Sequence, residues 1–96
     1  MNKQGYVYMM ASRKNGTIYI GVTSKLAQRA YQHREGLIEG FTKKYDCKLL
    51  VWFEAHDTIE GARGRELQMK KWNRPWKIPE IETLNPEWRD LYPTLI

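Results

Sequence analysis

Five side chains in this chain have types and spacings that could do chemistry together. Tyr8 and Tyr19 lie in two short β-rich runs, Arg29 and His33 stand four residues apart just after the second run, and Glu66 falls in a later apolar helical stripe. An ionised carboxylate buried without partners costs several kcal/mol. A chain that places Glu66 there must give it a cation, a hydrogen-bond network or a metal. Hydrolysis of a phosphodiester asks for this set of functions: a base or orienting group for water, a cation for the charge that develops, and a carboxylate to hold a divalent metal.

The elements that would position these groups can be read from the pattern. Residues 5–11 and 17–23 are β-rich and flank Arg13-Lys14-Asn15-Gly16, and Asn-Gly is a strong hairpin signal because both residues tolerate positive φ. Alternation puts Val7, Met9 and Ala11 with Ile18, Ile20 and Val22 on one face. Tyr6, Tyr8 and Met10 then share the other face with Tyr19 and Gly21. Ser24 is the expected N-cap of a helix running from about residue 25 to 34 or 37, with Leu26, Ala30, His33 and Leu37 on one stripe and Arg29 at its edge. The loop that follows carries Phe41-Thr42-Lys43-Lys44-Tyr45, aromatic and basic together.

Lys48 to His56 is the most hydrophobic run and reads as a central strand. Thr58 is the expected cap of a helix over 59–73, whose stripe of Ile59, Ala62 and Met69, with Leu67 on its flank, is interrupted by Glu66. Pro75 is expected to stop it. A shorter helix over 76–84 and a turn that folds Trp88 and Leu91 over the core complete the chain. The fold class is therefore α/β in the α+β sense: a small three-stranded, largely antiparallel sheet flanked by helices, in the order β-β-α-β-α-α, with residues 1–96 as one domain.

Sixteen Lys and Arg against eleven Asp and Glu give a net charge of +5 and a pI near 9.4, which favours polyanions such as nucleic acid or acidic lipid. Cys47 is the one cysteine, which excludes an intramolecular disulfide and a cysteine zinc cluster, and its setting suggests a small core-edge residue. No apolar run approaches the roughly 20 residues that span a bilayer, and the first residues lack a signal-peptide pattern, so the expectation is a cytoplasmic protein with no membrane association.

Taken singly, each candidate has an ordinary explanation. A tyrosine can simply pack, an arginine can pair at the surface, a histidine on an apolar face can be a satisfied core residue, and Glu66 could pair with Arg29 or Arg63. The order of the motifs adds to this. Tyr6-Val7-Tyr8 and Tyr19-Ile20-Gly21, then Arg29, His33 and Glu66, resemble the paired signature and remaining motif positions of the GIY-YIG nuclease superfamily. The runs 19–33, 65–72 and 85–88 are similar to its small stand-alone bacterial members. Tyr6 stands where the first motif has Gly, and Val22 where several members carry Lys.

The resemblance implies that Glu66 holds a single Mg²⁺ or Mn²⁺, with water in the other positions. It implies that Tyr8 or Tyr19 deprotonates or orients the attacking water, that Arg29 stabilises the pentacoordinate phosphate, and that His33 assists proton transfer or positions a tyrosine. A tyrosine base would need a lowered pKa, which Arg29 and the metal could supply. The expected activity is metal-dependent endonucleolytic cleavage of DNA (or RNA) with low sequence specificity. Lys25, Lys43, Lys44 and Lys70 are the expected phosphate contacts. The alternative is a nucleic-acid-binding module with a vestigial site, separable by salt-dependent binding without turnover.

Overall fold

A computed structural model describes residues 4–96. Three strands, β1 (Gly5–Ala11), β2 (Ile18–Thr23) and β3 (Leu49–His56), form one sheet in the order β2-β1-β3. β1 runs antiparallel to both neighbours, with Tyr8 opposite Gly21 on one side and Phe53 on the other. The strongly apolar β3 is thus an edge strand, and β1 is the central one. The expected central position for 48–56 fails because its free edge is not solvated: Leu91 N–H donates to the Leu50 carbonyl at 2.7 Å, and Asp90 Oδ1 accepts from Leu50 N–H at 3.2 Å. Covered on its edge as well as its faces, β3 tolerates a continuous apolar run.

The sheet separates two cores. Val7, Met9, Ala11 and Ile20 pack with Ala62 and Met69 of α3 (Ile59–Lys70), Ile81 of α4 (Arg74–Leu84) and the buried Trp88. Tyr8 and Met10 pack on the opposite face with Leu26 and Ala30 of α1 (Leu26–Arg34) and with Cys47 and Leu50, while Tyr19 and the 3₁₀ turn Tyr92–Leu95 lean against them. The faces assigned by alternation in the hairpin are those observed. In β3 the alternation breaks: the register shifts between Met9 and Met10, and Val51 and Trp52 both enter the first core. A β-bulge, by inserting an extra residue, produces such a step.

Several boundaries differ from the sequence expectation, each for a local reason. Asn15 alone takes the positive φ of the hairpin turn, at 60°, and the turn closes through Gly16 N–H to the Arg13 carbonyl at 2.9 Å. Ser24 does not cap α1; Lys25 occupies that position without a side-chain cap, and the buried Thr23 hydroxyl accepts from Lys25 N–H at 3.0 Å. α1 ends at Arg34, ahead of Gly36 at φ 68°, which leaves Leu37 exposed. Residues 41–44, read as loop, form a single helical turn, α2 (Phe41–Lys44).

Thr58 does cap α3, accepting from Gly61 N–H at 3.0 Å. That helix stops at Lys70, and Leu67 on its flank is exposed. Pro75 lies in the first turn of α4, where its missing N–H costs nothing, so it opens the next helix and does not end the previous one. Trp88 and Leu91 close over the sheet as expected. The turn that carries them is clamped by buried Asn85, whose Nδ2 donates to the Val51 and Arg89 carbonyls at 3.1 and 2.8 Å. No helix among the described residues is long and apolar enough to cross a membrane.

Candidate active site

Tyr8 is placed by the central strand and by a missing side chain opposite it. A Cβ at Gly21 would come within 2.5 Å of the Tyr8 hydroxyl and 2.6 Å of its Cζ, so the phenol occupies the volume a residue at 21 would need. The glycine of the second motif is therefore a requirement of the tyrosine of the first. Gly5 plays a comparable role against α3, where a Cβ would meet the Ile59 Cα at 2.7 Å. Tyr6, standing beside it where the motif has Gly, is half-buried on the second core and obstructs nothing in that contact.

The remaining members come together around the Tyr8 ring. Its hydroxyl lies 2.8 Å from His33 Nε2, and the ring centroids of Tyr8 and Tyr19 are 6.3 Å apart, with Tyr19 5.5 Å from His33. Tyr8 and His33 are 2% and 3% exposed, whereas Tyr19 is half-buried and Arg29 is exposed. The helical spacing of Arg29 and His33 thus puts the imidazole inside and the guanidinium at the rim. Arg29 shares a polar cleft of about 290 Å³ with Thr23, Ser24, Lys25, Gln28 and Gln32, and among the described residues it makes no ion pair.

Burial decides the electrostatics here. Desolvation first, and then the neighbouring Tyr19, push the Tyr8 hydroxyl well above the ordinary phenol value. The Arg29 cation opposes this without reversing it, and the Glu66 charge adds to it. The lowered pKa expected of a tyrosine base is thus not found at Tyr8: it is a neutral phenol at physiological pH. His33 is pushed the other way, down to about 4, by desolvation and then by Arg29, so it too is neutral.

Glu66 lies on the other side of the sheet, and its charge acts on Tyr8 from there. It lies on α3 between Ala62 and Met69 and is 7% exposed, on the face that packs against the first core. Its neighbour Lys70 lines a cleft along the outer edge of β2 together with Ile18, Tyr19, Ile20 and Phe41. The outer edge of β2 thus brings Tyr19 and the lysine partner of Glu66 to one cleft. Expected ion pairs with Arg29 or Arg63 are absent among the described residues; the partner is Lys70, one turn on, with Nζ 3.3 Å from Oε2.

Residues 4–79 match the GIY-YIG catalytic domain family. The chain belongs to that family. Similar proteins include a UPF0213 protein of Syntrophus aciditrophicus, 33% identical over 88% of this chain and 95% of its own length, and one of Haloquadratum walsbyi, 31% identical over 80% and 85%. A third, from Clostridium perfringens, is 31% identical over 81% of this chain and 83% of its own. No solved structure matches the chain significantly. The fold is thereby a nuclease-type fold, and the matched span includes Tyr8, Tyr19, Arg29, His33 and Glu66.

The GIY-YIG site can be tested for its fit to a divalent ion by the donors it offers. No group of three His, Cys, Asp or Glu gathers among the described residues, so a multi-ligand protein cage is absent there. Glu66 offers one carboxylate that receives no hydrogen bond among the described residues. Its oxygens keep contact with solvent, since no side-chain polar atom there is buried without a partner. A single hard oxygen ligand open to water fits Mg²⁺, which keeps most of its hydration and takes one or two carboxylates plus substrate phosphate.

The other expected phosphate contacts divide. Lys25 is at the rim of the Arg29 cleft, Lys43 is paired with Glu39 at 2.7 Å, and Lys44 lies 5.4 Å from the centre of the exposed Tyr45 ring. Lys70 is held on Glu66. Sequence reasoning missed Thr42, whose hydroxyl lies 2.8 Å from His33 Nδ1 and which is 4% exposed. Nothing in the chain marks it, because a threonine beside two lysines reads as surface.

Proposed function

We propose that this protein is a metal-dependent endonuclease that hydrolyses phosphodiester bonds in DNA with little sequence preference of its own. The observation that supports it most is the convergence on Tyr8 of groups from both faces of the sheet: His33 by contact, Arg29 and Glu66 by charge. A structural role alone gives a buried carboxylate no reason to be left with one lysine and no hydrogen bond among the described residues.

Mg²⁺ or Mn²⁺ bound at Glu66 would supply a Lewis acid for the phosphate and lower the pKa of water. The chain's own residues do the rest. Tyr8 and Tyr19 present hydroxyl oxygens that orient the attacking water. The exposed Arg29 guanidinium binds the phosphate and meets the charge that builds on it, a contribution typically worth about 10²–10³ in rate. Lys25 and Lys44 offer further phosphate contacts at the rim, and the net charge of +5 favours a polyanion. Cleavage of supercoiled plasmid and of a labelled single-stranded oligonucleotide with Mg²⁺ or Mn²⁺ tests the reading. Nicking is expected from the native protein and none from Glu66→Ala; nicking that survives Glu66→Ala would overturn it.

A further inference from the structure

Three buried side chains from three elements form one hydrogen-bonded line: Tyr8 on β1, His33 on α1 and Thr42 on α2. The two contacts, Tyr8 hydroxyl to Nε2 and Nδ1 to Thr42 hydroxyl, are both 2.8 Å. Thr42 is anchored on its other side as well, since Cys47 N–H donates to its carbonyl at 2.8 Å. Its β-branched side chain has little rotamer freedom to lose.

A neutral imidazole has one N–H donor and one acceptor nitrogen, so the line can be ordered in only two ways. Either Nε2–H donates to Tyr8 and Thr42 donates to Nδ1, or Tyr8 donates to Nε2 and Nδ1–H donates to Thr42. The surroundings of Tyr8 choose between them. Arg29 stands exposed on α1, one turn before the buried His33, on the solvent side of the site. Its cation acts on the phenol oxygen from there, and a hydroxyl in the field of a cation turns its lone pairs toward the charge and its proton away. The proton then points to Nε2.

We propose that Thr42 is a positioning residue: it accepts the Nδ1 proton of His33, and so fixes the tautomer that makes Tyr8 donate inward and present its lone pairs to the substrate side. The use made of those lone pairs, orienting water, rests on the endonuclease reading above; the tautomer does not. With valine at 42 nothing accepts the Nδ1 proton. The alternative Nε2–H tautomer then takes over, and the Tyr8 hydrogen bond reverses, spending the lone pair that faced the site.

Ring ¹⁵N correlation spectra at neutral pH read the tautomer directly. The chain has only two histidines, and a His33→Gln spectrum assigns the signals of His33 against those of His56. Native protein and Thr42→Ser are expected to carry the proton on Nδ1, and Thr42→Val on Nε2. Cleavage by Thr42→Val should fall about 10- to 100-fold in kcat with KM little changed, as for loss of an outer-shell partner, and Thr42→Ser should restore it. A native spectrum with the proton on Nε2 overturns the proposal even if Thr42→Val fails to fold. So does a folded Thr42→Val with an unchanged tautomer. If the tautomers behave as described while native protein cleaves nothing with either ion, the lock stands and the endonuclease reading falls.

Discussion

Arg65 and Glu66 are consecutive residues on α3, and the protein treats their charges in opposite ways. Arg65 is saturated: its Nε reaches Glu54 at 3.1 Å, one terminal nitrogen reaches Glu80 at 2.8 Å, and its guanidinium lies 5.1 Å from the centre of the Trp72 ring. Glu54 is engaged in turn by His56 at 2.8 Å. Glu66, more deeply buried, has one ammonium on a flexible stem and no hydrogen bond among the described residues. A chain able to satisfy Arg65 so completely had the means to satisfy its neighbour. The difference separates a charge that ties α3 to β3 and α4 from one left with a single ammonium, which is what the proposed metal site asks of Glu66.

The sharpest way to break this contrast is Glu66→Gln, which keeps shape and removes charge. Cleavage is expected to fall at least about 10³-fold, roughly 4 kcal/mol of barrier, while the thermal midpoint stays within a few degrees. A large loss of stability with little loss of cleavage would place Glu66 with Arg65 as a structural ion.

Next in size is the pH response of the tyrosine side. His33 folds with a pKa of about 4 against an ordinary value near 6.5. Between these values the unfolded chain binds the extra proton and the folded one does not. The stability this adds is fully present above about pH 6.5 and is lost as pH falls toward 4, by about 3 kcal/mol. Urea unfolding from pH 7 to 4 should show that slope, and His33→Gln should flatten it. An equal slope in both proteins would assign the acid sensitivity elsewhere.

Arg65→Met should cost about 1–2 kcal/mol of stability, since its carboxylate partners are partly solvated, and leave cleavage at low temperature unchanged. Smallest is Lys70→Met. Stability should move by less than about 0.5 kcal/mol, while Mn²⁺ binding measured by calorimetry tightens about 3- to 10-fold as a competing cation is removed. Weaker Mn²⁺ binding in that variant would make Lys70 a support of the site instead of a competitor.

What could be read from the sequence followed the strength of its periodicity. Hairpin faces were legible because Val7, Met9 and Ala11 alternate with Tyr6, Tyr8 and Met10, and Glu66 stood out because it interrupts a stripe. β3 hid its bulge and its edge position because Leu49 to Phe53 are all apolar, and an unbroken run carries no parity. The cap of α1 falls one residue beyond Ser24 because Lys25 holds that position with no side-chain cap bond, and nothing in a lysine's chemistry marks it as a cap. The partner of Glu66 is legible after all, since Lys70 stands one turn away and needs no tertiary structure to reach it, whereas Arg29 and Arg63 do not pair with it among the described residues. Thr42 lay beyond any pattern, because its contact joins two elements through a single hydroxyl.

The fit of Tyr8 into the space above Gly21 also has a bearing on how such a site can be lost. Any side chain at 21 collides with the phenol, including ring atoms that phenylalanine would retain. A lineage therefore cannot change position 21 first without displacing the ring, whereas it can shrink residue 8 and then let residue 21 drift. In a degenerating relative the tyrosine should disappear before the glycine. A chain that has lost the glycine while keeping the tyrosine should have moved its strands apart to do so.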